Sequence, residues 1–187
     1  FPGCAARKTK GGKMAILASS PNSKLTSIIR RSFAVVLVAT VAAILLPGRP
    51  NGRQGWIRQD AAVLKVMNTW VRVSTKKRTM EIYVNGQLKK RVKVAVGTGG
   101  TPTPKGLAAV QDVVPTRGQL GPYILVLTAH STVLKTFAGG NGVVGIHGWP
   151  SASAIGKAVS HGCVRMTPTG VRLLVKHAKM GTPIEVV

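Results

Sequence analysis

From about Trp70 the chain alternates apolar and polar residues, and this constrains its fold more than any other feature. Val71 and Val73 are separated by Arg72 and followed by Ser74, and Met80, Ile82 and Val84 are separated by Glu81 and Tyr83. A period of two is that of a half-buried strand. Asn85-Gly86 follows, the pair best able to supply the positive φ angles of a two-residue hairpin, and Val92, Val94 and Val96 resume the alternation beyond it. The stretch therefore reads as antiparallel sheet. Further strands are expected at about Leu107 to Val113, Tyr123 to Thr128, Thr132 to Phe137 and Val143 to Ile146. The segment Gly97 to Gly106 carries Gly99, Gly100, Pro102 and Pro104 and reads as a structured loop.

The pattern changes once. Thr167 suits an N-cap and Pro168 the first helical turn, and Val171, Leu174, Val175 and Ala178 recur at helical spacing. One amphipathic helix is expected there, ended by Gly181 and followed by a short strand from Ile184 to Val187. With 44% apolar residues, 22 glycines and few aromatics in 187 residues, one mostly β domain with many turns fits the composition. No internal repeat is visible.

The N-terminal part has a different character. It begins at Phe1, with Met14 as a candidate start, and is basic from Lys24 to Arg31. Ser32 to Leu46 is then an uncharged, largely apolar run of 15 residues ahead of Pro47-Gly48. That is shorter than the roughly 20 residues of a spanning helix and matches the basic-then-apolar pattern of an export signal. Arg30-Arg31-Ser32-Phe33 faintly resembles a twin-arginine signal. The expected division is residues 1–47 as a basic segment with a signal peptide or signal anchor, 48–68 as a linker, and 69–187 as the folded domain.

The residues able to do chemistry are concentrated between Gly145 and Arg165. Ile146-His147-Gly148 is followed, after a Ser/Ala/Gly-rich stretch, by Ser160-His161-Gly162-Cys163-Val164-Arg165. A thiol becomes a strong nucleophile once an imidazole within reach accepts its proton. His147 ends its own expected strand and can approach Cys163 across the sheet, whereas a turn at Gly162 separates His161 from Cys163. His147 is thus assigned as the base and Cys163 as the nucleophile, with His161 lining the site or positioning its loop.

Carboxylates are absent between Asp112 and Glu185, so a backbone carbonyl, that of Gly148, is the expected orienter of the imidazole. The amides of Gly162 and Cys163 are candidate oxyanion donors. Trp149, beside the base, is a candidate substrate contact. A zinc site built from His147, His161 and Cys163 lacks a convincingly spaced fourth ligand, and no metal or cofactor is expected. Cys4 and Cys163 are the two cysteines, too few for a disulfide framework.

These two segments together resemble the active-site signature of L,D-transpeptidases, the YkuD-like family. Gly100-Thr101-Pro102-Thr103-Pro104-Lys105-Gly106 resembles that family's second hallmark, and the resemblance runs from about Trp70 to Val187. It implies a β-sandwich with one helix after the cysteine. It also implies attack by Cys163 on the bond between diaminopimelate and terminal D-alanine of a peptidoglycan stem tetrapeptide. The thioester would then be resolved by an amine, giving a 3→3 cross-link. By the same resemblance Ser160 and His161 line the site, and Arg165 stabilises the loop or receives a substrate carboxylate. The 11-residue spacing from Gly148 to Ser160 is short, and Thr167-Pro168 stands where an asparagine is often found.

Charge bears on partners. Lys and Arg number 27 against 4 Asp and Glu, a formal net charge of +23. Such a surface attracts polyanions, which for an exported chain means anionic wall polymers or lipid headgroups. Three rival readings use the same residues or the same charge: an L,D-carboxypeptidase with water as acceptor, a non-catalytic peptidoglycan binder, and a basic nucleic-acid binder. The last lacks any stacking platform or zinc-finger spacing, so no specific nucleic acid is expected.

Overall fold

The computed structural model describes residues 41–61 and 66–187. The strands in chain order are β1 (Val41–Leu45), β2 (Gln54–Arg58), β3 (Thr69–Ser74), β4 (Thr79–Val84), β5 (Gln87–Lys93), β6 (Val96–Gly97), β7 (Gly106–Pro115), β8 (Tyr123–His130), β9 (Val143–Gly148), β10 (Ala158–Ser160), β11 (Val164–Met166) and β12 (Pro183–Val186), and the one α-helix, α1 (Pro168–His177), lies between β11 and β12. Eight strands form the main sheet in the order β11-β9-β8-β7-β12-β3-β4-β5. β1 with β2, and β10 with β6, form two small sheets of their own.

The alternation becomes structure directly in β3 to β5. Val71, Val73, Met80, Ile82 and Val94 are fully buried, while Arg72 and Lys93 point outward. Asn85 and Gly86 adopt φ of 52° and 77°, as their hairpin requires. Trp70 and Tyr83, paired across β3 and β4, stack at 4.3 Å on the outer face.

The sheet curls on itself. One apolar cluster contains Met80 and Ile82 from β4 and also Ile146 from β9, Val164 and Met166 from β11. The two ends meet where Ala95 and Arg165 exchange a pair of backbone hydrogen bonds, each 2.8 Å. Val171 and Leu174 of α1 fill the same core, and burying each contributes roughly 1.5–3 kcal/mol. Thr167 caps the helix by accepting from Gly170 N–H at 3.0 Å. The fold is thus a mostly β sandwich with one amphipathic helix. The helix stops at His177, with Gly181 (φ 86°) in the turn that follows. The final strand β12 is central: it pairs parallel with β3 and antiparallel with β7.

Two segments differ from the sequence expectation. Thr132 to Phe137 is not a strand. Ser131 Oγ accepts from the N–H groups of Val133 (3.3 Å) and Leu134 (2.9 Å), curling the backbone, and Phe137 and Gly140 bond to each other rather than to the sheet. Ala138, Gly139 and Gly142 then take positive φ, which ends any extended run. The second difference is the hairpin of β1 and β2. It falls where an export segment meets a linker in the sequence reading, and the apolar Val41–Leu45 finds strand partners in Gln54–Arg58. The rest of the expected signal, residues 1–40, lies outside the described residues.

Candidate active site

β9 and β11 run parallel, with Ile146 opposite Val164, His147 opposite Arg165 and Gly148 opposite Met166. Ile146, Val164 and Met166 face the core at 0–1% exposure. Alternation therefore sends His147, Arg165 and Cys163, the residue just before β11, to the other face. Gly145 N–H reaches Cys163 Sγ at 3.5 Å, which ties the thiol to the strand carrying His147. Both side chains line one cleft of about 700 Å³, together with Trp149, His161 and Arg165.

His147 is buried, with its Nδ1 2.8 Å from the Gly148 carbonyl. Burial pushes its pKa below the usual value. The Gly148 bond works against this, and the nearby Arg165 charge adds to the lowering. The lowering favours the neutral ring. No Asp or Glu lines the cleft, so the backbone carbonyl holds the position a carboxylate takes in other triads.

The loop before Cys163 is held from two directions. Ser160 Oγ donates to the Cys163 carbonyl at 2.5 Å and accepts from Gly162 N–H at 3.1 Å. Gly162 has φ 119°, where a side chain would be strained. The loop over residues 97–106 supplies the second support. Thr98 N–H (3.0 Å) and Thr101 Oγ1 (3.2 Å) donate to the Ser160 carbonyl, and Thr103 Oγ1 accepts from Gly97 N–H at 2.9 Å. Gly97 has to be glycine, because a Cβ there would lie 2.2 Å from Thr101 O.

The sequence-selected residues thus divide by position. Cys163, His147, Trp149, His161 and Arg165 line the cleft. Ser160 is buried at 1% exposure with its hydroxyl engaged in the turn, and the Gly162 amide is engaged with it. His161 stands at the rim, stacked on Phe137 at 5.0 Å. Arg165 lies 3.8 Å over the Trp149 ring, a cation–π contact, and its buried Nε has no hydrogen-bond partner among the described residues. His130 is buried at the end of β8, away from the cleft lining. Missing from the sequence reading are two walls: residues 116–120, between β7 and β8, and the loop 131–142, with Leu134 and Phe137. Apolar side chains in a glycine-rich loop were the available signal for the second wall.

The sequence model of the L,D-transpeptidase catalytic domain matches residues 68–186. The chain belongs to this family. Over 117 residues this L,D-transpeptidase domain is 33% identical to a YkuD protein of Bacillus licheniformis, covering 62% of this chain and 64% of the relative, so it spans somewhat under two thirds of that protein's length. In fold it resembles L,D-transpeptidase 3 from Mycobacterium tuberculosis, with a TM-score of 0.56, 13% identity and coverage of 79% of this chain and 81% of that one. An L,D-transpeptidase from Mycobacterium smegmatis gives 0.52 at 17% identity, covering 79% and 66%. The family match begins after the β1–β2 hairpin. Among the described residues no helix is long and apolar enough to cross a membrane, and no group of His, Cys, Asp and Glu could hold a metal ion.

Proposed function

We propose that this domain is a peptidoglycan L,D-transpeptidase in which Cys163 forms the thioester and His147 moves the protons. The observation that carries the reading is the parallel register of β9 and β11, which puts both side chains on one cleft face while the Gly148 carbonyl fixes the imidazole. Cys163 Sγ attacks the carbonyl carbon between diaminopimelate and terminal D-alanine, and its proton passes to His147 Nε2. Collapse breaks the C–N bond, and D-alanine leaves with that proton on its amine. An acceptor amine then attacks the thioester, gives a proton to His147, and the thiolate departs to be reprotonated.

The oxyanion would be held by the Cys163 amide. The Gly162 amide, engaged with Ser160, supports the turn instead. Arg165, stacked on Trp149 with an unpartnered Nε, is suited to a substrate carboxylate. Stem peptides of peptidoglycan are the partners this cleft would take, and an extracytoplasmic site, secreted or membrane-anchored, follows from such a substrate.

A solved L,D-transpeptidase of similar fold is in complex with imipenem, which makes a carbapenem the natural probe. Purified protein should gain the mass of one carbapenem, and Cys163→Ala should gain none while keeping its thermal transition. Adduct formation on the alanine variant at the wild-type rate would refute the assignment. Incubation with defined tetrapeptide fragments, with and without an amine acceptor, separates transpeptidation from L,D-carboxypeptidase activity: released D-alanine with no cross-linked product would show that water is the acceptor.

A further inference from the structure

We propose that Arg49 and Asn51, in the turn between β1 and β2, are positioning residues that hold the 131–142 wall of the cleft in its binding shape. The inference rests on the reading of that cleft as the substrate site. The wall has no strand partner in the main sheet, yet it carries Leu134 and Phe137 into the cleft and lets Phe137 stack on His161. Its two ends bond to each other, Ser131 N–H donating to Gly142 O at 2.7 Å, and its side-chain ties to the rest of the fold include several from the hairpin. Arg49 forks across two carbonyls: Nε and Nη2 each donate to Ser131 O at 3.3 Å, and Nη2 also donates to Leu134 O at 2.9 Å. Asn51 pairs with β8's last residue as a strand would. Its Nδ2 donates to His130 O, and its Oδ1 accepts from His130 N–H, both at 2.7 Å.

The fit is close. A Cβ on Gly142 would lie 2.7 Å from Arg49 Nη2 and 2.2 Å from Leu134 O, so glycine at 142 leaves the guanidinium its space. Nor is Arg49 drawn off by an ion pair. The chain's four carboxylates are Asp60, Glu81, Asp112 and Glu185; the ion pairs they make are with Arg58, Arg91 and Arg72, and Asp112 accepts from Val113 N–H. Arg49 and Asn51 lie ahead of the residues that the family model matches, 68–186.

A wall that is ordered before substrate arrives lowers the entropy lost on binding, whereas Cys163 and His147 are held by β9 and β11 independently of it. Loss of the brace should therefore weaken binding and leave the chemical step alone. The test uses the full chain, with carbapenem acylation followed by intact mass over a range of concentrations and amide hydrogen exchange measured on the same variants. In Arg49→Ala the half-saturating concentration should rise about tenfold, the size expected when bonds from a charged donor are removed. The limiting rate should stay within about twofold of wild type. Exchange should accelerate in 131–142 and not in 143–148. Arg49→Lys keeps the charge but not the fork and should fall between.

Asn51→Ala removes only two bonds, and it carries the same readouts if Arg49→Ala fails to fold. Unchanged exchange and unchanged half-saturation in Asn51→Ala and Arg49→Ala would overturn the proposal, as would a lower limiting rate at constant half-saturation. If the wild type takes no carbapenem, the catalytic reading fails and hydrogen exchange alone decides the brace.

Discussion

A carbonyl oxygen can only accept, so the 2.8 Å contact from His147 Nδ1 to Gly148 O fixes the ring's tautomer and leaves the lone pair on Nε2. With His147 as the proposed base, His147→Ala should slow carbapenem acylation by about 10²- to 10⁴-fold, read by intact mass over time. If His161→Ala is slower still, the two histidines have exchanged roles. The pH dependence has a definite sign. Burial holds the folded pKa of His147, and also that of His130, below the ordinary value of about 6.5. As pH falls through that value the unfolded chain takes up protons before the folded one does, so stability present above it is lost below it. The thermal midpoint should drop between pH 7.5 and pH 5.5, and His147→Gln should drop less. A midpoint that rises on acidification would contradict the burial argument. The gathering of Cys163 and His147 at one cleft, with the Gly148 carbonyl against the imidazole, was legible in the sequence because spacing and the lack of carboxylates left few alternatives. The engagement of Ser160 and the Gly162 amide was not, since it depends on the path imposed on the loop by Thr98 and Thr101 from 59 and more residues away.

Among the elements, β9 couples fold and site most tightly, because it carries His147 and then must end against the β7–β8 connection. A Cβ on Gly148 would lie 1.7 Å from Gly121 O, backbone against backbone. Gly148→Ala should therefore cost at least about 1–3 kcal/mol of stability by urea unfolding, and it should reduce acylation further because the orienting carbonyl must move. Wild-type stability with normal acylation would show that the connection yields freely. Elements with a clear period, β3 to β5 and α1, were readable from sequence. β10 and β11 have three residues each, too few to show a period, and their existence follows from pairing with β6 and β9. Thr132 to Phe137 misled for the opposite reason: its residues suit a strand, but the Ser131 hydroxyl captured the next amides first.

At the scale of the whole molecule the dominant quantity is charge. All four carboxylates are engaged, three with arginines and Asp112 with a backbone amide, which leaves most of the 27 Lys and Arg without a counter-ion in the chain. Among the described residues one group of them lies away from the cleft, Lys89, Lys90 and Lys93 along the edge strand β5 with Lys76, Lys77 and Arg78 in the β3–β4 turn, whereas the cleft itself is lined by Arg117 and Arg165. A charged edge also keeps β5 from pairing with other chains. Attraction by such a surface is screened over about 10 Å at 0.1 M salt and about 3 Å at 1 M. Retention on purified cell walls should therefore fall as salt rises, and walls stripped of their anionic polymers should retain less protein at low salt. Acylation by a carbapenem should depend on salt less steeply than wall retention does, since the cleft holds only Arg117 and Arg165 and the basic edge is a separate surface. The comparison of the two wall preparations is decisive because the stem peptides are common to both. Equal retention on them, indifferent to salt, would mean that the cleft does the holding and that the positive surface serves something other than the wall.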